Sequence, residues 1–550
     1  MNRVNVKKLI QRFDTARTER ANFASHWQEI AEVISPAGAV FTSDRVSQGS
    51  KTNRQIYDTT GTHANELLSS GFFSLLTSPT VPWFVLLTSD RILNDMREVQ
   101  IWLNEVSRIM AHEIQRPQTG FTTAMHEFYL EYGAYGNGTM FVTEKADMSS
   151  LLFMSLPLAE CFYVENDEGF IDTLIRRYFR TSYQLVEHFG EARVSPNVIK
   201  ALHSEGGGME KKFEILHFIM PNFMAALHGW RDIHMPYLSI YVEKESNHIL
   251  SISGFSEQPF MAARFYKMPQ EIYGRGPGSS ALPDLDMLQE MQKTILRGAQ
   301  KMVDPPLQMP DQGFLTPPNT APGRVNYYRS GGQDRIEPLM TGGRPEIGLE
   351  ILEMIQTRVR EIFFVDQLQL NIGPQMTATE VLQRTEEKQR LMGPVIGRAS
   401  TELLSPLLIR CFGLLGRAGR LPEPPAVFLD QGAKLKILYT SPIFKAQEQV
   451  AANNIMRAQQ VLMPFAGIDP SVNDFFHPTR TAEVIAELFN LDPRIRRTDE
   501  EMAELQEQRQ QAEMAAANAA QLKDTGIGLS NLASAGETLG NMPGFGEMVQ

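Results

Sequence analysis

Between Asp304 and Pro345, 14 of 42 residues are Pro or Gly, against 72 of 550 in the whole chain, and a long regular element does not survive that density. Helix-period segments flank the stretch on both sides. The first follows Tyr273-Gly274-Arg275-Gly276-Pro277-Gly278-Ser279-Ser280, and Pro283 is expected in its opening turn, where proline is tolerated. Leu285, Leu288, Met291, Ile295, Ala299 and Met302 then recur at steps of three and four and form one apolar stripe, while Lys293, Arg297 and Lys301 mark the opposite face. The second segment runs from Pro345 to Val365, with Leu352, Ile355, Val359 and Ile362 as its stripe. Each spans roughly 20 residues, about 30 Å at 1.5 Å per residue. Two such helices joined at one end by an irregular lobe make a rod with a knob, and the shape requires no enzyme pocket.

At 550 residues and 62.0 kDa the chain exceeds what one core serves, so several domains are expected. Its formal net charge of −12 argues against a protein that coats nucleic acid with a uniformly basic surface, although it leaves room for DNA passing close by. Two cysteines, Cys161 and Cys411, supply neither a disulfide framework nor a metal quartet, which points to folding in a reducing cytosol. The first 20 residues alternate charged and apolar side chains and do not build a signal peptide. Leu67 to Ser89 is 23 residues without a charge, long enough to span a bilayer, but Gly71, Pro79, Pro82 and eight Ser or Thr favour a buried helix that breaks at Ser78-Pro79 into a strand over Trp83–Leu87. A soluble chain with no membrane span is expected.

An amphipathic helix is read over the first 35 residues, with Leu9, Phe13, Ala16, Arg20, Phe23 and Trp27 on or near one side. After a polar loop, helices are expected through Phe73, over Met96–Ile114 and over His126–Tyr135, the last ending at Gly136-Asn137-Gly138. From there the period shifts towards two, and short strands are placed at Thr139–Thr143, Leu151–Leu156, Phe162–Glu165, Ile171–Tyr178, Phe213–Ile219, Tyr237–Val242 and Ile249–Ser253. The fold class is therefore α+β, mainly helical, with residues 1–270 as the α+β body. Beyond the helix pair, Thr377 and Glu380 form a capping box, and Gln383 to Arg390 is polar all round, unlike a helix packed in isolation. Gly393-Pro394 is expected to kink this helix before an apolar continuation to Leu415. A strand pair around Val427 and Lys436–Tyr439 follows, then helices over Gln447–Leu462 and Thr481–Phe489. The last 27 residues are Gly-, Ser- and Asn-rich and weakly ordered by composition.

Motifs for chemistry are sparse. Gly274 to Gly278 ahead of a helix imitates a phosphate-binding turn, but Ser279 stands where G-x-G-x-x-G needs its third glycine, and the chain holds no G-x-x-x-x-G-K-[ST]; a tight structural turn is favoured. His112-Glu113 and His126-Glu127 both lack the second histidine of a zinc-protease helix. Asp167 and Glu168 belong to the hairpin sequence Asn166-Asp167-Glu168-Gly169 in preference to a metal site. No G-x-S-x-G nucleophile elbow is present. Lys293, Arg297 and Lys301, spaced by four, share one helical face and could meet phosphates or a neighbour's carboxylates; a solvated face is the plainer alternative for a single helix.

Three blocks, YGRGPGSSALPDLDMLQEMQKTILRGAQKMVDPPL, MTATEVLQRTEEKQRLMGP and ANELLSSGFFSLLTSPTVPWF, resemble the portal or head-to-tail connector proteins of short-tailed bacteriophages. The resemblance extends over roughly residues 1–490. It implies a ring, usually of twelve subunits, at one capsid vertex, with a central channel for double-stranded DNA and no cofactor. Carried over by segment, 1–270 would be the wing, 271–303 and 345–365 the two stem helices, and 304–344 the clip. Residues 366–377 would form the tunnel loop, 378–439 a long helix returning to the wing, 440–495 the crown, and 496–550 a C-terminal helix and tail. The implied partners are further copies of the chain, DNA, a terminase motor, capsid and scaffolding proteins and a tail adaptor. The implied location is the virion, after folding in the host cytoplasm.

Under that resemblance Lys293, Arg297, Lys301, Gln367, Gln369, Asn371 and Gln375 are the candidate channel residues. Arg384, Glu386, Glu387 and Lys388 are the candidate subunit-interface residues, since a helix polar all round suits side-by-side packing with exchanged charge pairs. None is catalytic. Two other classes stand beside this reading: a nucleic-acid-processing enzyme of the packaging machinery, and a structural adaptor without a channel.

Overall fold

The computed structural model describes residues 5–440 except 36–39, 43–55, 80–81, 146, 148, 205–206, 224–234, most of 309–344, 369–391 and 431–434, together with scattered residues between 455 and 514. Two compact units are present, Met1–Arg457 and Ala458–Gln550, and in the second every described residue is helical.

The first unit opens with the helix Val6–Ile34, whose N-terminus is capped by Asn5. Its apolar face serves two cores in succession. Phe13 and Ala16 pack onto an antiparallel sheet with Phe162, Ile175, Leu216, Phe218, Ile240 and Val242, whereas Trp27, Ile30 and Ile34 join the main core. That sheet is built from β4 (Cys161–Glu165), β5 (Ile171–Thr181), β6 (Lys212–Pro221), β7 (Tyr237–Glu243) and β8 (His248–Phe255), in sequential order. Its other face is covered by the short helices Ser182–Phe189 and Pro196–Leu202, through Leu185, Val198, Phe213, Ile215 and Leu250. A second sheet has the order β3 (Leu151–Ser155), β2 (Asn137–Glu144), β9 (Phe260–Arg264). The helices Thr60–Leu76, Arg97–Gln115 and Phe121–Tyr135 contribute to the main core around it.

All seven expected strands of the body are present; six extend one to three residues beyond the expected bounds, and the one from Leu151 stops a residue short, at Ser155. The hairpin at Asn166–Gly169 is also present: Asn166 N donates to the Phe170 carbonyl at 2.8 Å, and Gly169 has φ +84°. Strand β9 escapes pattern reading because Phe-Met-Ala-Ala-Arg is buried on both faces and so shows no alternation. At Gly136-Asn137-Gly138 only Gly136 turns, at φ +75°, and the next two residues already belong to β2. The expected strand pair near Val427 is corrected. Val427 lies in the short helix Ala426–Asp430, where Phe428 N donates to the Pro425 carbonyl. Strand Leu435–Tyr439 pairs with β1 (Phe84–Thr88), antiparallel, with Phe84 opposite Tyr439.

Pro277, not Pro283, begins the outgoing helix, which runs Pro277–Val303 and carries Pro283 in its interior. The returning helix is Pro345–Ile362, so the two have 27 and 18 residues and not equal lengths. They run antiparallel: Asp284 pairs with Arg358, while Ile295, further along, packs near Gly348, which is earlier in its helix. Leu285, Leu288, Leu352, Ile355 and Val359 are buried between and beneath them, and Met291, Ile295 and Ile362 are half-buried. Ala299 and Met302, expected in the same stripe, are exposed. At the body end, Gln289 Oε1 accepts from Tyr57 N and Asp58 N at 2.7 and 3.2 Å, and Gln356 Nε2 donates to Asp58 Oδ2 at 2.7 Å. One aspartate thus ties both helices to the start of Thr60–Leu76.

The helix Met392–Arg417 is long and apolar enough to cross a membrane by length and composition, but 56% of its apolar window is buried, with Val395, Ala399, Leu403, Leu407, Cys411 and Leu414 in the main core. It contains a π-helical turn at Ser400–Leu404. Met392 to Pro394 begin this helix among the described residues, and the polar stretch before it lies outside them.

His217 on β6 is buried, stacked on Tyr241 with ring centroids 3.8 Å apart, and its Nε2 lies 2.9 Å from Ser239 Oγ. Burial, with Arg176 and His188 adding, pushes its pKa down from 6.5 to about 3. The folded protein therefore keeps this ring neutral while the unfolded chain protonates it. The stability due to His217 is complete above pH 6.5 and declines as pH falls towards 3. His217→Gln should flatten that part of the profile, as read by melting temperature at closely spaced pH values against the wild type.

Candidate functional site

Two backbones meet at closest range where the outgoing helix leaves the body. Residues 273–278 lie against 133–138: Phe265 N donates to the Gly136 carbonyl at 2.9 Å, and Asn137 bridges Gly274 through Nδ2 to its carbonyl (2.9 Å) and Oδ1 from its N–H (2.8 Å). A methyl group added at Gly274 would stand 2.6 Å from the Gly136 carbonyl oxygen, and one at Gly276 would stand 2.7 Å from Gly136 N. The glycines are required because protein backbone fills the space beside them, where a phosphate-binding turn would hold its ligand. The structural-turn reading of Gly274–Gly278 is the one the geometry supports.

Beside this junction lies a buried ion network that pattern reading missed. Arg264, at the end of β9, is 1% exposed. Its Nη2 donates to Glu402 Oε1 and to the Gly169 carbonyl, both at 2.7 Å, and its Nη1 donates to Glu165 Oε1 at 3.1 Å. Burial alone would lower its pKa, but bonding to Glu402 and then Glu165 outweighs that and raises it. Glu402 sits in the π turn of Met392–Arg417, so the network joins β9, the β4–β5 hairpin and that helix at one cation. Further along the same helix, Arg410 and Arg417 donate to Glu257 at 2.7 and 2.5 Å. The N-terminal helix is fixed in a similar way. Arg20, buried over the Phe162 ring at 4.1 Å, donates to the carbonyls of Leu158, Ala159 and Cys161. Arg20 was visible in the sequence as a cation on an apolar face; Arg264 offered only a charge closing an apolar run.

The expected channel residues divide. Lys293 is half-buried and pairs with Glu290 at 3.0 Å, one turn earlier on its own helix. Arg297 and Lys301 are exposed on the outgoing helix. Gln367 falls in the short helix Val365–Leu368. Gln369, Asn371 and Gln375, and all four expected interface residues, Arg384, Glu386, Glu387 and Lys388, lie outside the described residues. Among the described residues no three or more His, Cys, Asp or Glu side chains gather as a metal ion would need. Both cysteines are buried, with thiols pushed well up by desolvation, so neither has the thiolate character of a nucleophile.

Removing Arg264 leaves Glu402 and Glu165 facing a buried gap, a loss on the order of 3–5 kcal/mol for a broken buried pair. Arg264→Met should lower the melting temperature well beyond Arg275→Met, whose pair with Glu271 lies near the surface. Gly276→Ala should be destabilising as well, by overpacking against backbone, about 1–3 kcal/mol. Thermal unfolding of the three variants checks both orderings.

Comparison with known proteins agrees with the resemblance. The family described as "Bacteriophage head to tail connecting protein" matches residues 6–496. The chain is 32% identical over 531 residues to the "Probable portal protein" of Bordetella phage BPP-1, covering 94% of this chain and 93% of that one. It is 30% identical to the "Portal protein" of Salmonella phage epsilon15, covering 93% and 92%. At 20% identity it also matches the "Portal protein" of Escherichia phage T7, covering 86% and 85%. The match runs through the glycine junction, the helix pair and the Arg264–Glu402 network without leaving any of them outside, and the chain belongs to the bacteriophage head-to-tail connecting protein family.

Proposed function

We propose that this protein is a portal subunit, many copies of which close into a ring at one capsid vertex around a channel for double-stranded DNA. DNA enters through the channel during packaging, driven by a separate terminase motor, and leaves through it during ejection by way of the tail. The ring is built into the capsid with coat and scaffolding proteins. Its subunits carry out no chemistry of their own.

One observation about the chain itself supports the ring most directly. The helix pair is joined by its own apolar seam, yet it presents large apolar side chains on its outer surface: Met287, Leu296, Ile351 and Met354 are all exposed. A pair of helices with both an inner seam and an outer apolar surface is suited to neighbours on its flanks. Side-by-side copies would bury that surface and place the helix pairs around a hole.

The charge pattern suits a conduit. DNA carries one charge per about 1.7 Å of axis, and a densely basic lining would hold it through counterion release. Three cations per subunit, Lys293, Arg297 and Lys301, on a chain of net charge −12, would guide the duplex without gripping it. In 0.15 M salt the acidic exterior is screened beyond about 8 Å. The expected division into wing, stem, clip, tunnel loop and crown is part of this proposal, with Pro277–Val303 and Pro345–Ile362 as the stem.

Negative-stain imaging and native mass measurement should find closed rings of the purified protein; a species that stays monomeric under assembly conditions overturns the proposal, and an open, channel-less oligomer favours the adaptor reading. Met287→Glu with Met354→Glu should prevent ring closure. The triple reversal Lys293→Glu, Arg297→Glu, Lys301→Glu should leave rings intact and reduce packaged or retained DNA; wild-type DNA content in such particles removes these cations from the channel.

A further inference from the structure

The helix Val6–Ile34 has 29 residues, about 43 Å at 1.5 Å per residue, and it rests on two different supports. Its first half lies on the five-stranded sheet. Val6, Leu9, Ile10, Phe13 and Ala16 pack there, with the Phe13 ring 5.0 Å from that of Phe162 and Lys244 Nζ 5.1 Å from the Phe13 centroid. From Phe23 onward the helix belongs to the main core, where Trp27, Ile30, Ala31, Val33 and Ile34 are buried. Arg20 stands between the two halves. It binds the carbonyls of Leu158, Ala159 and Cys161, where the chain crosses from β3 to β4.

The sheet is entered at Cys161 and left at Phe255, and both crossings are hydrogen-bonded to β2: Leu156 N donates to the Thr139 carbonyl at 2.9 Å, and Val142 N donates to the Pro259 carbonyl at 2.8 Å. The part of the sheet beside these crossings is seated in the main core through Cys161, Tyr163, Ile171, Leu174 and Ile219, and Arg264 holds the β4–β5 hairpin. The rest of the sheet has two apolar clusters of its own. The cluster under the short helices, with Leu185, Val198, Phe213 and Leu250, is made entirely from residues between Tyr178 and Leu250. The other takes from outside the sheet only the first half of the N-terminal helix. Among the described residues of these two clusters, that half-helix alone continues into the main core.

We infer that the helix Val6–Ile34 is a strut that sets how the five-stranded sheet stands on the main core, with its pivot at Arg20. Bending the helix there swings the sheet, together with the helices Ser182–Phe189 and Pro196–Leu202, about the two crossings on β2. A continuous helix transmits orientation because each turn is hydrogen-bonded to the next, so its two halves cannot be aimed independently while those bonds hold. Thr18, Glu19, Ala21 and Asn22, on either side of Arg20, are all exposed. Packing therefore does not keep these positions in line, and the helix's own backbone bonds do. Arg20 ties the pivot to the β3–β4 crossing, so the helix bends and the sheet turns about neighbouring points. The inference concerns one chain and does not depend on the portal reading.

The test uses the full chain with spin labels at Glu66→Cys, on Thr60–Leu76, and Glu187→Cys, on Ser182–Phe189; both positions are exposed, whereas the native Cys161 and Cys411 are buried. Labelled chains are mixed with an excess of unlabelled ones, so that double electron–electron resonance reads the distance within one chain. An intact strut should give a single narrow distance. Thr18→Gly with Ala21→Gly softens the helix beside the pivot without removing a buried side chain and should broaden the distribution roughly twofold or more. Ser25→Gly with Glu29→Gly, at exposed positions in the half seated on the main core, should leave it narrow. Phe13→Ala, which loosens the first half from the sheet with the helix unbroken, should broaden it as well. A broad distribution in the parent, an unchanged one after softening at Thr18 and Ala21 or after Phe13→Ala, or equal broadening by the two glycine pairs would each overturn the inference.

Discussion

Close approach of two backbone segments, 133–138 and 273–278, is the constraint on which the rest of the first unit depends. The helix Phe121–Tyr135 ends there, β2 begins there, β9 is hydrogen-bonded to it, and the outgoing helix starts from it. Glycines at 136, 274, 276 and 278 allow backbone to lie on backbone, and Asn137 satisfies both the N–H and the carbonyl of Gly274 at the crossing. A side chain at any of the three later glycines would push the outgoing helix off the body. The direction in which the helix pair projects is therefore decided by packing at its root.

Buried charge does a second job around that root. An isolated guanidinium inside a protein is costly, and replacing a buried ion pair by apolar residues is often neutral or better for stability. What Arg264 and Arg20 contribute is discrimination between arrangements. Arg264 accepts one placement of Glu402 and Glu165, and Arg20 one placement of the carbonyls of Leu158, Ala159 and Cys161. Greasy surfaces could slide past one another; these cannot. The π turn at Ser400–Leu404 is consistent with that demand, since it places Glu402 against Arg264 while Leu403 and Leu404 stay in the core.

Much of this was legible in the residues, and the failures have identifiable causes. The shift towards period two revealed β4 to β8, although helices cover both faces of their sheet, and the amphipathic period revealed the N-terminal helix down to Arg20. The helix pair was legible from its stripes, although its start was misplaced: Pro277 and Pro283 both fit a first turn, and only the packing of Gly278 against Ala134 decides between them. Strand β9 was invisible because it is buried throughout. The Leu435–Tyr439 strand was recognised, but its partner was sought nearby in sequence, and no local signal points to Phe84–Thr88. The site residues fared differently for a similar reason. The spacing of Lys293, Arg297 and Lys301 is a local pattern that the residues alone display; the Arg264 network is assembled from β9, the β4–β5 hairpin and the helix Met392–Arg417, and has no spacing to read.

The pairing of Phe84–Thr88 with Leu435–Tyr439 bears on how the chain is born. During synthesis, roughly 350 residues separate the emergence of one strand from that of the other, which at about 5–20 residues per second is an interval of ~20–70 s. Throughout that interval an apolar segment, Phe-Val-Leu-Leu-Thr, has edge groups with no native mate. Completion of the body is thereby postponed until nearly four-fifths of the protein has left the ribosome.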